Sequence, residues 1–129
     1  MANKIRIRAG TKWEDALGYS RAVRAGNIIK VSGTAAIDEN SNIVGINKPY
    51  EQAKYIIQKI ERALNELGSS LNDVVRNIVY ITDMSNFDEV AKAYGEFFRE
   101  IKPALTFVEV SSFIDPNILL EIESEAIVE

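Results

Sequence analysis

The stretch ILLEIESEAIV, residues 118 to 128, alternates without a break. Successive side chains of a strand point to opposite faces, so Leu120, Ile122, Ser124 and Ala126 fall on one side. Glu121, Glu123 and Glu125 fall on the other. The chain therefore needs a sheet with one packed face and one face that accepts carboxylates. The plainest reading of three aligned glutamates is a solvated strand face. A second reading places one of them in a site.

The rest of the chain supplies more strands and few helices to cover them. IRIRA (5 to 9) alternates apolar and charged residues and predicts a half-buried strand. Residues 20 to 37, SRAVRAGNIIKVSGTAAI, predict a hairpin turning at Gly26-Asn27, with Gly33 closing its second strand. DENSNIVG is turn-rich, with a short strand around Ile43 and Val44. The clearest helix is KPYEQAKYIIQKIERALNELG. Pro49 suits its first turn, Gly68 its C-terminal stop, and Ala53, Ile56, Ile57, Ile60, Leu64 and Leu67 form one apolar stripe. SSLND forms a short capped turn, and VVRNIVYIT is rich in β-branched residues and predicts a central strand. A second helix opens at SNFDE, where Ser85 with Asp88, or Asn86 with Glu89, has capping-box spacing. Phe87, Val90, Ala91, Tyr94 and Phe98 make its stripe. PALTFVEV (103 to 110) then predicts a strand, FIDPN a turn, and the alternating stretch the last strand.

Two helices against a mixed sheet define an α+β domain, and 129 residues fit one such domain over residues 1–129. The helices cover only one sheet face. The other carries Val31, Leu105 and Phe107, or their neighbours, according to register. A chain this short that is 47% hydrophobic has apolar surface to spare, so association through that face is expected.

Composition removes several chemistries. There is no Cys, which excludes disulfides, thiol nucleophiles and Cys-ligated zinc. There is no His, which removes the usual general base and imidazole metal ligand. No metal-ligand spacing, nucleotide-binding loop or nucleophile elbow is found. The formal net charge of -4, with Lys and Arg spread out, argues against nucleic acid as partner. No apolar run reaches the ~20 residues of a membrane helix, and MANKIRIRAG lacks the apolar centre of a signal peptide, so the expected location is the cytoplasm.

Five segments in order, GYSRAVRAGNIIKVSGT, VVRNIVYITDMSNFDEV, AYGEFF, PALTFVEV and LLEIESEAIV, resemble the RidA family, also called the YjgF family or reactive intermediate deaminases. The resemblance spans nearly the whole chain. It implies a chorismate-mutase-like subunit, a homotrimer whose sheets meet around the three-fold axis, and clefts between subunits that bind a small organic metabolite. Archetypal members hydrolyse 2-iminobutanoate and 2-iminopropanoate to 2-oxo acids and ammonia without a cofactor.

By the same resemblance, Tyr19 is a cleft tyrosine, Ser32 and Gly33 form the cleft wall, and Thr34 stands where many members have Gln. Glu121 matches the glutamate that positions and activates water. Glu109 matches the glutamate of the family's Val-Glu-Val, and a structural or interface role is expected for it. Two positions depart from the pattern. Active deaminases read Pro-Ala-Arg where this chain reads Pro103-Ala104-Leu105, followed by Thr106 and Phe107 at the same cleft position. That arginine grips the substrate carboxylate with a bidentate fork. A helix asparagine that lines the cleft aligns with Ala91. Losing a hydrogen bond to a charged group removes about 1.5–3 kcal/mol, one to two orders of magnitude in affinity. Leu105 and Ala91 thus point to a ligand less anionic than an imino acid, unless Arg21, Arg24 or Arg76 supplies the charge. Two functions remain: an imine or enamine deaminase with Glu121 at its centre, and a trimer that binds a small molecule without turnover.

Overall fold

The computed structural model describes residues 3–129; Met1 and Ala2, which open the MANKIRIRAG stretch, lie outside the described residues. Six strands form one sheet: β1 (Lys4–Ile7), β2 (Ala22–Ala25), β3 (Ile28–Thr34), β4 (Val74–Ile81), β5 (Ala104–Glu109) and β6 (Leu120–Ile127). Their spatial order is β1-β2-β3-β6-β4-β5, so the last strand lies in the middle. All pairs are antiparallel except β4 with β5, which run parallel and are joined through a helix. Helices are α1 (Lys12–Leu17), α2 (Pro49–Glu66) and α3 (Phe87–Phe98).

Helix α2 follows its sequence signals. Pro49 occupies the first turn, Gly68 takes φ +78° just past the end, and every residue of the apolar stripe is buried. The stripe packs on the face of β3 and β6 that carries Ile29, Val31, Leu120, Ile122 and Ala126. Helix α3 packs beside α2, turning Val90, Ala93 and Phe98 inward. Ala91 is only half-buried and Phe87 is exposed, so the stripe is rotated from the one read in the sequence. Neither capping box forms at its start. Instead Asp83 accepts a hydrogen bond from Ser85 N at 2.9 Å, and Glu109 accepts one from Met84 N at 2.9 Å.

That bond settles the PALTFVEV face. In the parallel register Leu105 lies opposite Asn77, Phe107 opposite Val79 and Glu109 opposite Ile81. Those β4 residues point to the helices, so Leu105, Phe107 and Glu109 do too. Phe107 stacks on Phe87 with centroids 4.8 Å apart, and Glu109 reaches the turn before α3. Val31 is likewise buried beneath the helices. The uncovered face therefore carries the neighbours: Lys30, Ser32, Thr106 and Val108, together with Ile78, Tyr80 and the three glutamates of β6. Polar pairs cross it. Lys30 Nζ meets Glu125 at 2.7 Å, Tyr80 donates to Glu123, and Arg76 Nη2 donates to Thr106 at 3.0 Å.

Helix α1 is absent from the sequence reading because six residues carry no stripe. Its signals are local. Thr11 caps it through Glu14 N, and Gly18 ends it at φ +78°. Glu14, only 2% exposed, ties it down by accepting from Ala9 N (2.9 Å), Gly10 N (3.2 Å) and Arg8 Nε (3.4 Å).

Candidate active site

The pairing of β3 with β6 carries an irregularity between Val31 and Thr34. There the backbone of Gly33 comes close to Glu121. A Cβ on Gly33 would stand 2.8 Å from Glu121 Oε1, and the φ of Gly33 lies outside the left-handed region. Glycine is needed here for close approach, not for an unusual backbone. The carboxylate thus sits over a patch of bare backbone at the edge of a cavity.

That cavity has a volume of about 590 Å³. Its walls come from α1 and the loop before it, from the residues leading into β2, from the start of β6, from the end of β3 and the segment after it, and from one side of α2. Of the residues singled out in the sequence, Tyr19, Gly33 and Glu121 line it together. Thr34 is wholly buried beside it, donating to Ser32 O at 2.8 Å, while Ser32 Oγ donates to Ser20 O at 2.7 Å. These two hold the wall's shape. Leu105, Thr106 and Phe107 are not brought there within one subunit. They lie on β5, beyond β4 from β6 and at the opposite edge of the sheet from β1. Leu105 is 44% exposed on that edge, and Ala91 sits on α3 outside the cavity lining.

Of the three arginines considered, only Arg21 lines the cavity. Arg24 is drawn to Leu67 O (2.5 Å) and Gly26 O (2.9 Å), and Arg76 to Thr106 on the uncovered face. Arg21 uses Nη2 alone to hold the bulged strand, donating to Ser32 O (2.5 Å), Gly33 O (2.9 Å) and Thr34 Oγ1 (2.7 Å). Its Nε is buried and makes no hydrogen bond among the described residues.

A second cation is Lys59, on the polar flank of α2, a residue that no motif in the sequence singles out. Its Nζ donates to Ile37 O (2.8 Å) and Ala35 O (3.2 Å), which draws it into the same cavity. Burial, and then the repulsion of Arg21 and Arg62, push its ammonium down to about 8. Burial likewise disfavours the charge on Arg21. Burial raises the Glu121 carboxyl above the ordinary carboxylate range, while Arg21 and Lys59 pull it partly back. A carboxylate so placed is a better proton acceptor than one in water, and two cations stand ready to offset negative charge nearby. Among the described residues no cluster of three or more Asp or Glu side chains has metal-holding geometry.

Comparison with known proteins places this arrangement in a lineage. The family model described as Endoribonuclease L-PSP matches residues 11–128. A RutC family protein of Pyrococcus abyssi is 40% identical over 108 residues, covering 84% of each chain. The 3-aminoacrylate deaminase RutC of Acinetobacter baylyi is 34% identical over 108 residues, covering 84% of this chain and 85% of its own. A solved Mycobacterium tuberculosis protein, a member of the YjgF/YER057c/UK114 family, superposes with a TM-score of 0.88 at 36% identity, covering 98% of this chain and all (100%) of its own. The six-stranded α+β fold, the matched span and these relatives together establish that the chain belongs to the RidA/YjgF family.

Proposed function

We propose that this protein is a cofactor-independent hydrolase of small imine or enamine metabolites, releasing a 2-oxo acid and ammonia. The observation that carries the reading is Glu121: a half-buried carboxylate with a raised proton affinity, held over Gly33 in a cavity shared with Tyr19, Arg21 and Lys59. The relative named as a 3-aminoacrylate deaminase supports the reaction class. An enamine reaches the same chemistry through its imine tautomer.

In the proposed reaction Glu121 takes a proton from water as the oxygen bonds to the imine carbon. The substrate reacts as its protonated imine, so the C=N π pair moves to a nitrogen that already carries the proton, and a neutral carbinolamine results. Glu121 returns its proton to that nitrogen, ammonia leaves with the C–N pair, and loss of the hydroxyl proton closes the new C=O. General acid–base help of this kind contributes ~10²–10⁴-fold. The backbone of Gly33 leaves room for the carboxylate to swing between water and nitrogen. The family description names an endoribonuclease, but an acidic chain without His offers RNA cleavage little.

The working form in this proposal is a homotrimer assembled through the uncovered sheet face, with the cleft completed between subunits and a location in the cytoplasm. The alternating Ile78, Val108, Tyr80 and glutamate surface supports association there. A second reading, a trimer that binds a metabolite without turnover, is favoured by one observation: an apolar Leu105 where active deaminases carry arginine.

The test is release of 2-oxobutanoate from 2-iminobutanoate generated in situ, measured against spontaneous hydrolysis. Turnover by the native protein, lost in Glu121→Ala, is the expected result. No turnover by the native protein, followed by a gain in Leu105→Arg, would instead support the binding reading.

A further inference from the structure

Two cations, Arg21 and Lys59, line one cavity, yet neither forms an ion pair with a carboxylate among the described residues. A half-buried charge without a counter-ion is unfavourable, and proteins normally supply a partner. Glu121 acts on both only at longer range. Asp38 also faces Lys59, but its Oδ1 is occupied by Asn40 N and Asn42 N, each at 2.9 Å. Neither cation therefore has a carboxylate in direct contact, although Glu14 and Glu121 act on Arg21, and Asp38 and Glu121 on Lys59, at longer range. Donor capacity is left over as well. Lys59 spends two N–H groups on carbonyls, and Arg21 spends only Nη2, leaving its Nε bare.

The cavity is also far larger than a four-carbon acid needs; ~300–1,000 Å³ is the range of pockets for drug-sized ligands. Part of its lining is apolar. Trp13, Leu17 and Ile114 are exposed, and Tyr55 and Ile37 line the cavity with them.

We propose that Arg21 and Lys59 form an anion subsite within a single subunit, which takes the carboxylate of a 2-oxo or 2-imino acid whose bulky apolar side chain lies against Trp13 and Leu17. This rests on the reading of the cavity as the reaction site. It departs from the expectation, drawn from Leu105, of a ligand with less negative charge. The charge lost from β5 is supplied from β2's approach and from α2.

Trp13 is the chain's one tryptophan and lines the cavity, so its fluorescence reports occupancy directly. The experiment titrates the native protein at pH 7 with phenylpyruvate, phenylpyruvamide and 2-oxobutanoate, repeats it with Lys59→Met and Lys59→Arg, and checks folding by circular dichroism. The expected result is that the native protein binds phenylpyruvate at least tenfold tighter than either the amide or 2-oxobutanoate. Lys59→Met loses the preference for acid over amide, and Lys59→Arg retains it. Equal affinity for acid and amide, an unchanged preference in folded Lys59→Met, or no binding of phenylpyruvate would overturn the anion subsite. Equal affinity for phenylpyruvate and 2-oxobutanoate would overturn the apolar part. Binding as expected without turnover of the corresponding imine would leave this subsite standing and remove the hydrolase instead.

Discussion

Replacing Gly33 with alanine separates the position of the Glu121 carboxylate from its presence. The added Cβ would stand 2.8 Å from Oε1, against roughly 3.5 Å for an ordinary non-bonded contact. The carboxylate must therefore withdraw by about 0.7 Å. Backbone strain does not enter, because the φ of Gly33 is one any residue adopts. The obstacle is the tip of a flexible side chain, so the adjustment is a χ rotation of ~30°, which costs about 0.5–1.5 kcal/mol. That lowers Tm by a few degrees and leaves the fold intact. Catalysis is less tolerant, since a misplacement of ~1 Å can cost ~10²-fold. The assay pairs a thermal melt with imine hydrolysis, using Glu121→Ala as the reference for complete loss. A folded Gly33→Ala protein whose rate stays within about twofold of native would refute the reasoning, because Glu121 would then not be acting from above Gly33.

Three further outcomes are expected. Asn77→Leu orphans Ser124 Oγ, which donates to Asn77 Oδ1 at 2.5 Å, and the Tyr94 hydroxyl, which accepts from Nδ2 at 3.0 Å; urea melts should show a loss of about 1–3 kcal/mol. Glu14→Ala frees Ala9 N and Gly10 N and leaves Arg8 only its pairing with Asp15, so limited proteolysis should cut first between residues 8 and 18, with ligand affinity falling alongside. The pH dependence of stability has opposite signs at the two cavity groups. Lys59 binds its proton less well folded than unfolded, so native stability rises as pH climbs from about 8 towards 10.5, and Lys59→Met should abolish that rise. Glu121 binds its proton better when folded, so its contribution is full below the ordinary value of 4.5 and is lost as pH rises through the folded value. Glu121→Gln should therefore melt higher than native at pH 7, with the gap closing below 4.5.

Several features of the fold could be read from short stretches of chain. The stripe of α2, with Pro49 and Gly68 at its ends, needs nothing beyond the helical repeat to be seen. The β2–β3 hairpin turns at Gly26-Asn27 as its dipeptide predicts. The alternation of β6 put Leu120, Ile122, Ser124 and Ala126 on the packed face. Tyr19, Gly33 and Glu121 were named from sequence resemblance, and they meet in one cavity although they lie far apart in the chain. Asn77, in contrast, looks like an interruption in a β-branched run. Its reason is a three-residue network with Ser124 and Tyr94 that no local pattern announces. Lys59 resembles any lysine on a helix flank until Ala35 and Ile37 offer it their carbonyls.

The sequence by itself determined the six strands and the two long helices, their order and which side chains of each strand stand together, because these follow from the 2.0 and 3.6 periodicities of a few adjacent residues, whereas the six-residue α1 carries no such repeat. It left undecided which of β5's two faces meets the helices. A shift of one residue in pairing exchanges them, and only the parallel register with β4 turned Leu105, Phe107 and Glu109 inward. The site was decided in the same way. Its carboxylate comes from β6, its bare backbone from the irregular end of β3, and its cations from the approach to β2 and from α2. Charges contributed by three separate segments interact only once the chain has folded, and their proton affinities are set by the burial that folding imposes.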